Sequence, residues 1–307
     1  MENKVIITAA VTGSIHTPSM SEYLPITSQE IADDAIRAHE AGAAVCHIHA
    51  RIPEPGEPSP ALEIYEEIIT RVKNKCNVVQ CITTGGKLGT TPQQRLHPVS
   101  KFKPELASFN AGSINFAIFH SLDKFKSFKF DWEEKYLAMT EDHIFPNTFF
   151  SMKEFAKIFA ENNTSPEFEV YDAAMINNIA FLIEKGYVKK PVYIQFVMGI
   201  LGGITATAEN LIFLVEYAKK LIGNFVFSVA AAGRAQFPLC THSFLIGGNA
   251  RVGLEDNLYL KKGVLAKSSA EQVEKMVRII REFGFEPATP DEARKILGLK
   301  GKDKTSF

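Results

Sequence analysis

Short apolar runs alternate with longer amphipathic ones from one end of this chain to the other. Residues 5–10 read as a first strand. The Thr27-x-x-Glu30 spacing of a capping box then opens a helix that stops at Gly42. The apolar run 42–46 carries a second strand into His47-Ile48-His49-Ala50-Arg51. Ser59-Pro60 starts the next helix, with Leu62, Ile64, Ile68, Ile69 and Val72 on its apolar stripe. Further strands are predicted over 77–84, 106–110, 167–170, 191–197, 225–230 and 249–252. Helices are predicted over 151–160, through Ile179, Leu182 and Ile183, and over 207–221, 238–246 and 268–283. Between about 115 and 147 the pattern is irregular and rich in aromatic residues, which reads as an insertion. A last short helix starts at Thr289.

Eight strand–helix units in alternation argue for a parallel sheet covered by helices. A closed (β/α)₈ TIM barrel fits better than an open doubly wound sheet, because no strand runs into a GxGxxG or GxxxxGK[ST] phosphate loop. The expectation is one domain over 1–307, decorated by the insertion at about 115–150 and a helical tail at 289–300.

Side chains alternate along a strand, so His47 and His49 project to the same side. Two adjacent imidazoles on a rigid backbone are ready metal ligands, zinc being the commonest candidate; the alternative is a pair of hydrogen-bonded polar groups. A metal reading needs a third ligand. In a barrel of this kind chemistry gathers where strands end. The polar residues at those positions are Thr12 and Ser14, then His47, His49 and Arg51, then Thr83 and Thr84, then Ser108 and Asn110. Glu169 and Asp172 follow the fifth strand, Arg234 the seventh, and Arg251, Glu255 and Asp256 the eighth. Glu255 is the natural third ligand if the barrel closes, and two imidazoles with one carboxylate leave zinc an open position. Asp256, next in sequence, should face elsewhere and pair with Arg251. An aspartate held by arginine stays ionised and suits a base; the alternative is a salt bridge that merely closes the last strand. Thr83-Thr84-Gly85-Gly86 offers hydroxyl and backbone N–H donors to a carboxylate, or is only a turn.

Net charge is −1, from 34 basic and 35 acidic side chains with no long block of one sign, which argues against a nucleic-acid partner. No apolar segment reaches the roughly 18 residues of a membrane span. The start, Met1-Glu2-Asn3-Lys4, lacks the features of a signal peptide, and the four cysteines form no CxxC pair. These features predict a cytoplasmic protein with structural thiols.

Several blocks, in order, resemble the β-keto acid cleavage enzyme family. They are Thr8-Ala9-Ala10-Val11-Thr12-Gly13, the His-Ile-His at 47–49, Thr83-Thr84-Gly85-Gly86 and Lys103-Pro104-Glu105. They continue with Asn110-Ala111-Gly112-Ser113-Ile114-Asn115-Phe116, Pro166-Glu167-Phe168-Glu169-Val170-Tyr171 and the stretch from Gly247 to Asn257. The resemblance covers nearly the whole chain. It implies a zinc-dependent (β/α)₈ barrel that converts a β-keto acid and acetyl-CoA into acetoacetate and a new acyl-CoA. Carried across, His47, His49 and Glu255 would hold zinc, and Asp256, oriented by Arg251, would remove the acidic proton. Glu169 matches a family active-site carboxylate, and Thr83 keeps a hydroxyl where the aminohexanoate enzyme of the family has serine. Ser14, Thr84, Gly85, Gly86, Ser108 and Asn110 are the expected substrate contacts. The family tends to form homotetramers, so a homo-oligomer is expected.

One departure bears on substrate. The turn after the first strand reads Gly13-Ser14-Ile15-His16, and Ile15 stands where the aminohexanoate enzyme has a glutamate suited to a substrate ammonium. An apolar side chain cannot repay the desolvation of a cation, so the expected β-keto acid carries no positive charge at its far end. The insertion also lacks a close counterpart in that enzyme. Two other readings remain. A metal-dependent hydrolase of the amidohydrolase type also uses a His-x-His pair, but on strand one and with later histidines; here the pair follows strand two. A barrel that binds CoA esters without turning them over is the second.

Overall fold

The computed structural model describes residues 3–307; Met1 and Glu2, part of the start read above, lie outside the described residues. The apolar runs become eight parallel strands. They are β1 (Ile7–Ala10), β2 (Val45–Ile48), β3 (Val79–Ile82), β4 (Leu106–Asn110), β5 (Ser165–Val170), β6 (Tyr193–Met198), β7 (Val226–Ala231) and β8 (Asn249–Val252). They close in chain order, β8 returning to β1 with Ile7 opposite Ala250 and Thr8 opposite Arg251. The expected (β/α)₈ barrel is therefore the fold. Strands buried on both faces have no solvated side, which is why they read as continuous apolar runs.

The outer layer is α1 (Ser28–Glu40), α2 (Leu62–Lys75), α3 (Pro92–Phe102), α5 (Phe149–Glu161), α6 (Ala173–Glu184), α7 (Ala208–Ile222), α8 (Gln236–Leu245) and α9 (Ser269–Glu282). Helix α4 (Asp131–Ala138) belongs to the insertion, and α10 (Pro290–Leu297) to the tail. The capping box predicted at Thr27 and Glu30 is present. Helix α3 was not anticipated. Its apolar stripe is sparse and Pro98 lies inside it, yet Thr91 and Gln94 cap each other and Pro92 takes the first turn, where its missing N–H costs nothing.

The insertion is more ordered than its irregular sequence suggested. It holds two 3₁₀ turns, Phe119–Lys124 and Met139–Asp142, around α4. The Glu133 carboxylate fixes it by accepting hydrogen bonds from Ser19 N–H (3.0 Å), Ser19 Oγ–H (2.8 Å) and Phe130 N–H (3.0 Å). At the opposite end of the barrel Ile6, Val45, Val79, Leu106 and Tyr193 fill the interior beneath Ala288 and Ala293 of the tail. That cluster fills the N-terminal end of the barrel, and a cavity lies at the C-terminal mouth of the strands. The three fully buried cysteines, Cys46, Cys81 and Cys240, are free thiols. Cys46 packs outward against α1, opposite His47, as its parity predicts, with Sγ 3.4 Å from Ala35 O.

Candidate active site

Beta pairing sets Ala10 of β1 beside His47 of β2, and places Arg251 of β8 on the other side of β1, against Thr8. Three donors therefore meet across one strand. His47 Nε2 lies 3.8 Å, and His49 Nε2 3.5 Å, from Glu255 Oε1. One ligand atom from each residue fits within a 4.8 Å group, and all three residues are buried. Glycine makes this approach possible. Gly13 has φ +62°, and a Cβ there would stand 2.3 Å from Glu255 Cγ.

Electrostatics prepare the same groups. Burial holds the His47 imidazole neutral, with its pKa well below the usual value. Burial opposes ionisation of Glu255, but the opposing charges, the Arg251 guanidinium foremost, outweigh it and keep its carboxyl well below the usual carboxylate range. Neutral imidazole and ionised carboxylate are the protonation states a divalent metal requires. Glu255 Oε2 has no hydrogen-bond partner among the described residues, although it is buried. The residues present thus fit a metal of the zinc type, with an open side toward the cavity.

Arg251 joins the donor group to its neighbours. Its Nη2 donates to Glu255 Oε1 at 2.6 Å and to Asp256 Oδ1 at 2.9 Å, while Nε donates to Asp256 Oδ2 at 2.8 Å. The guanidinium so bridges both carboxylates instead of serving Asp256 alone. Burial pushes the Asp256 carboxyl up to about 6, with Arg251 pulling the other way and Glu255 adding to the rise. It is ionised at neutral pH, though by a narrower margin than an arginine partner alone would give. Glu169 sits 3.8 Å from Arg251 Nη1, and burial raises its carboxyl to about 8 against the pull of Arg251. One carboxylate that can accept a proton therefore stands near one carboxylic acid that can give one.

These groups open onto a cavity of about 300 Å³ at the C-terminal mouth. Of the expected substrate contacts, Ser14, Gly85, Gly86 and Asn110 line it, and so does Thr83. Both polar atoms of the Asn110 side chain are buried without a partner, so its amide is free for a ligand. Thr84 and Ser108 do not reach the cavity. Thr84 N–H donates to Ser108 Oγ (2.9 Å) and Thr84 Oγ1–H to Ser108 O (2.8 Å), which ties β3 to β4. Asp172 caps α6 through Ala174 N–H. The insertion supplies one wall through Phe116, Ile118 and Phe145.

Three residues carry weight that the sequence reading did not give them. Glu167 lies under His47, its Oε1 3.9 Å from Nδ1 and 3.6 Å from Cys81 Sγ. Its parity with Glu169 on β5 was the available signal. Arg51 is fully buried and donates to Thr12 Oγ1 (2.7 Å), Thr12 O (3.1 Å), Gly56 O (2.8 Å) and His16 O (2.8 Å), clamping the loop after β1. His16, on that loop, lines the cavity. No local pattern announces either role.

The fold and the site define a (β/α)₈ barrel with a candidate metal centre at the floor of a ligand-sized cavity. The sequence pattern of the β-keto acid cleavage enzymes matches residues 4–299, and the chain belongs to that family. It is 44% identical over 307 residues to the 3,5-dioxohexanoate:acetyl-CoA acetone transferase of Paraburkholderia graminis, covering 100% of this chain and 99% of the relative. It is 39% identical over 297 residues to the 3-keto-5-aminohexanoate cleavage enzyme of Acetoanaerobium sticklandii, covering 96% and 98%. Among solved structures, apo ObcA superposes with a TM-score of 0.73 at 21% identity, over 91% of this chain and 66% of that one, which speaks for the fold. Among the described residues no helix is long and apolar enough to cross a membrane.

Proposed function

We propose that this chain exchanges the acyl group of a β-keto acid with acetyl-CoA, giving acetoacetate and a new acyl-CoA. The observation that carries the reading is the convergence of His47, His49 and Glu255 beside an aspartate gripped twice by Arg251. The relatives named for acetyl-CoA transfer and for keto acid cleavage support it. His47, His49 and Glu255 would hold a divalent metal, zinc by donor type, which would supply Lewis-acid polarisation of the substrate.

The side chains divide the remaining work. Asp256 takes a proton from the carbon between the two carbonyls, and Arg251 keeps its carboxylate aimed and ionised. That carbon attacks the acetyl carbonyl of acetyl-CoA and expels CoA thiolate. The thiolate adds to the original keto carbon, the adjacent C–C bond breaks, and Asp256 returns the proton to form acetoacetate. Glu169, protonated at neutral pH, donates a hydrogen bond to the oxygen on which charge gathers. Asn110 and the Thr83 hydroxyl orient the substrate.

The far end of the substrate meets Ile15, an apolar side chain in the cavity wall on the loop after β1. A substrate ammonium finds no counter-charge there, so the acid is uncharged at that end, in keeping with the dioxohexanoate of the Paraburkholderia relative. The protein is cytoplasmic and a homo-oligomer in this reading. The test is acetoacetate release from acetyl-CoA and a panel of β-keto acids, with and without a zinc chelator. Chelator-sensitive release that is poor for 5-amino acids supports the proposal; absence of release from every acid by the metal-loaded protein overturns it.

A further inference from the structure

The wall of the cavity on the β1 side holds an imidazole whose state is fixed by its surroundings. His16 Nδ1 lies 2.8 Å from Leu254 O. A carbonyl can only accept, so Nδ1 carries the ring proton. Burial, reinforced by the Arg51 charge, lowers the pKa of the ring to about 4. At neutral pH the ring thus has one proton, already bonded, and Nε2 is left as a lone-pair acceptor. Nε2 has no protein donor among the described residues. The ring is also rigid, since Arg51 Nη2 holds the His16 carbonyl at 2.8 Å and anchors Thr12 in the same loop. Ile15, Met20 and Ile118 line the same cavity as apolar groups, alongside Ser14 and Lys124.

We propose that His16 is a specificity residue whose Nε2 accepts a hydrogen bond from a neutral hydroxyl, or the enol form of a second ketone, at the far end of the β-keto acid. This deepens the reading above and rests on it. Competing substrate ends fit worse for separate reasons. A carboxylate turns its own lone pairs toward that of Nε2. An ammonium brings a third cation toward Arg51 and Lys124, the two positive groups that act on this ring against the one negative charge of Glu255. An alkyl end buries Nε2 without a partner, and a site built to hydrogen-bond a hydroxyl discriminates strongly against analogues that lack one.

The experiment compares kcat/KM, with acetyl-CoA as co-substrate, for 5-hydroxy-3-oxohexanoate, 5-fluoro-3-oxohexanoate and 3-oxohexanoate. Fluorine approaches the size of the hydroxyl but brings no proton. The metal-loaded wild type should favour the hydroxy acid over the fluoro acid by about tenfold or more. His16→Asn keeps a side-chain N–H for Leu254 O and removes Nε2, so the hydroxy-to-fluoro ratio should fall to about one to three. Equal use of the two acids by the wild type, or a ratio that survives His16→Asn, overturns the proposal while leaving the β-keto acid reading in place. If His16→Asn does not fold, His16→Gln takes its place in the same comparison, and equal use of the two acids by the wild type still overturns the proposal. Absence of acetoacetate from all three acids overturns the underlying reading and this proposal with it.

Discussion

Glu255 holds its place because nothing stands between it and the turn after β1. Gly13 adopts φ +62°, and any Cβ there would press into the Glu255 side chain. Gly13→Ala should therefore displace a ligand and lower zinc affinity by on the order of 100-fold, read by competition with a chromophoric chelator. Glu167 acts from below. Its carboxyl faces His47 Nδ1, which leaves Nε2 for the metal, so Glu167→Gln should weaken zinc about 10- to 100-fold, in the same competition assay. His16 gives a pH dependence of stability. Its folded pKa of about 4 lies below the ordinary 6.5, so the unfolded chain binds more protons between those values. The stabilisation is complete above about pH 6.5 and is lost as pH falls through about 4, on the order of 3 kcal/mol in all. Urea titrations from pH 7.5 to 4.5 should show that slope in the wild type and a shallower one in His16→Asn.

At the level of strands and helices, much of the molecule was legible because burial on two faces leaves a plain signature. The barrel strands were readable as apolar runs, and the histidine pair from their period of two. Helix α3 was hidden by Pro98 and a thin apolar stripe of Leu96, Val99 and Phe102, and its Thr91–Gln94 capping box was the only strong local signal. Thr84 and Ser108 lie outside the cavity wall, because each hydroxyl is taken up by the other residue's backbone, a pairing that position along a strand does not reveal. His16 and Arg51 owe their roles to loop geometry, which alternation cannot encode. The same helix α3 makes a prediction through Arg95, which is buried and donates to Thr84 O (2.6 Å), Pro146 O (3.1 Å) and Asn147 Oδ1 (2.7 Å). Its guanidinium also lies over the rings of Phe145 (4.5 Å) and Phe155 (5.0 Å). One side chain thus ties the end of the insertion to α3 and α5. Arg95→Met should leave buried oxygens unpaired and cost about 2–4 kcal/mol by urea denaturation. Limited proteolysis should then cut faster within 112–148 than in the barrel helices.

Taken as a whole, the molecule is closed twice by groups from opposite ends of the chain. At the bottom, Lys4–Val5 pairs in parallel with Glu286–Pro287, and Lys4 Nζ lies 3.3 Å from Glu292 in α10. At the mouth, the donors come from β2 and from just beyond β8, on either side of β1. A metal held there ties the barrel across its closing seam, and it binds the folded chain in preference to an unfolded one whose donors are far apart. At a free zinc concentration 100 times the dissociation constant the gain is about 2.7 kcal/mol. For a chain of this size that corresponds to a rise in Tm of roughly 5 °C. Thermal unfolding with zinc and with excess chelator should show that difference in the wild type and lose most of it in Glu255→Gln. A full shift retained in Glu255→Gln would instead place the ion in the deeper group of His47, Cys81 and Glu167, the other buried donor cluster among the described residues. That outcome would remove the open coordination position from the cavity, and with it the basis for the proposed exchange reaction.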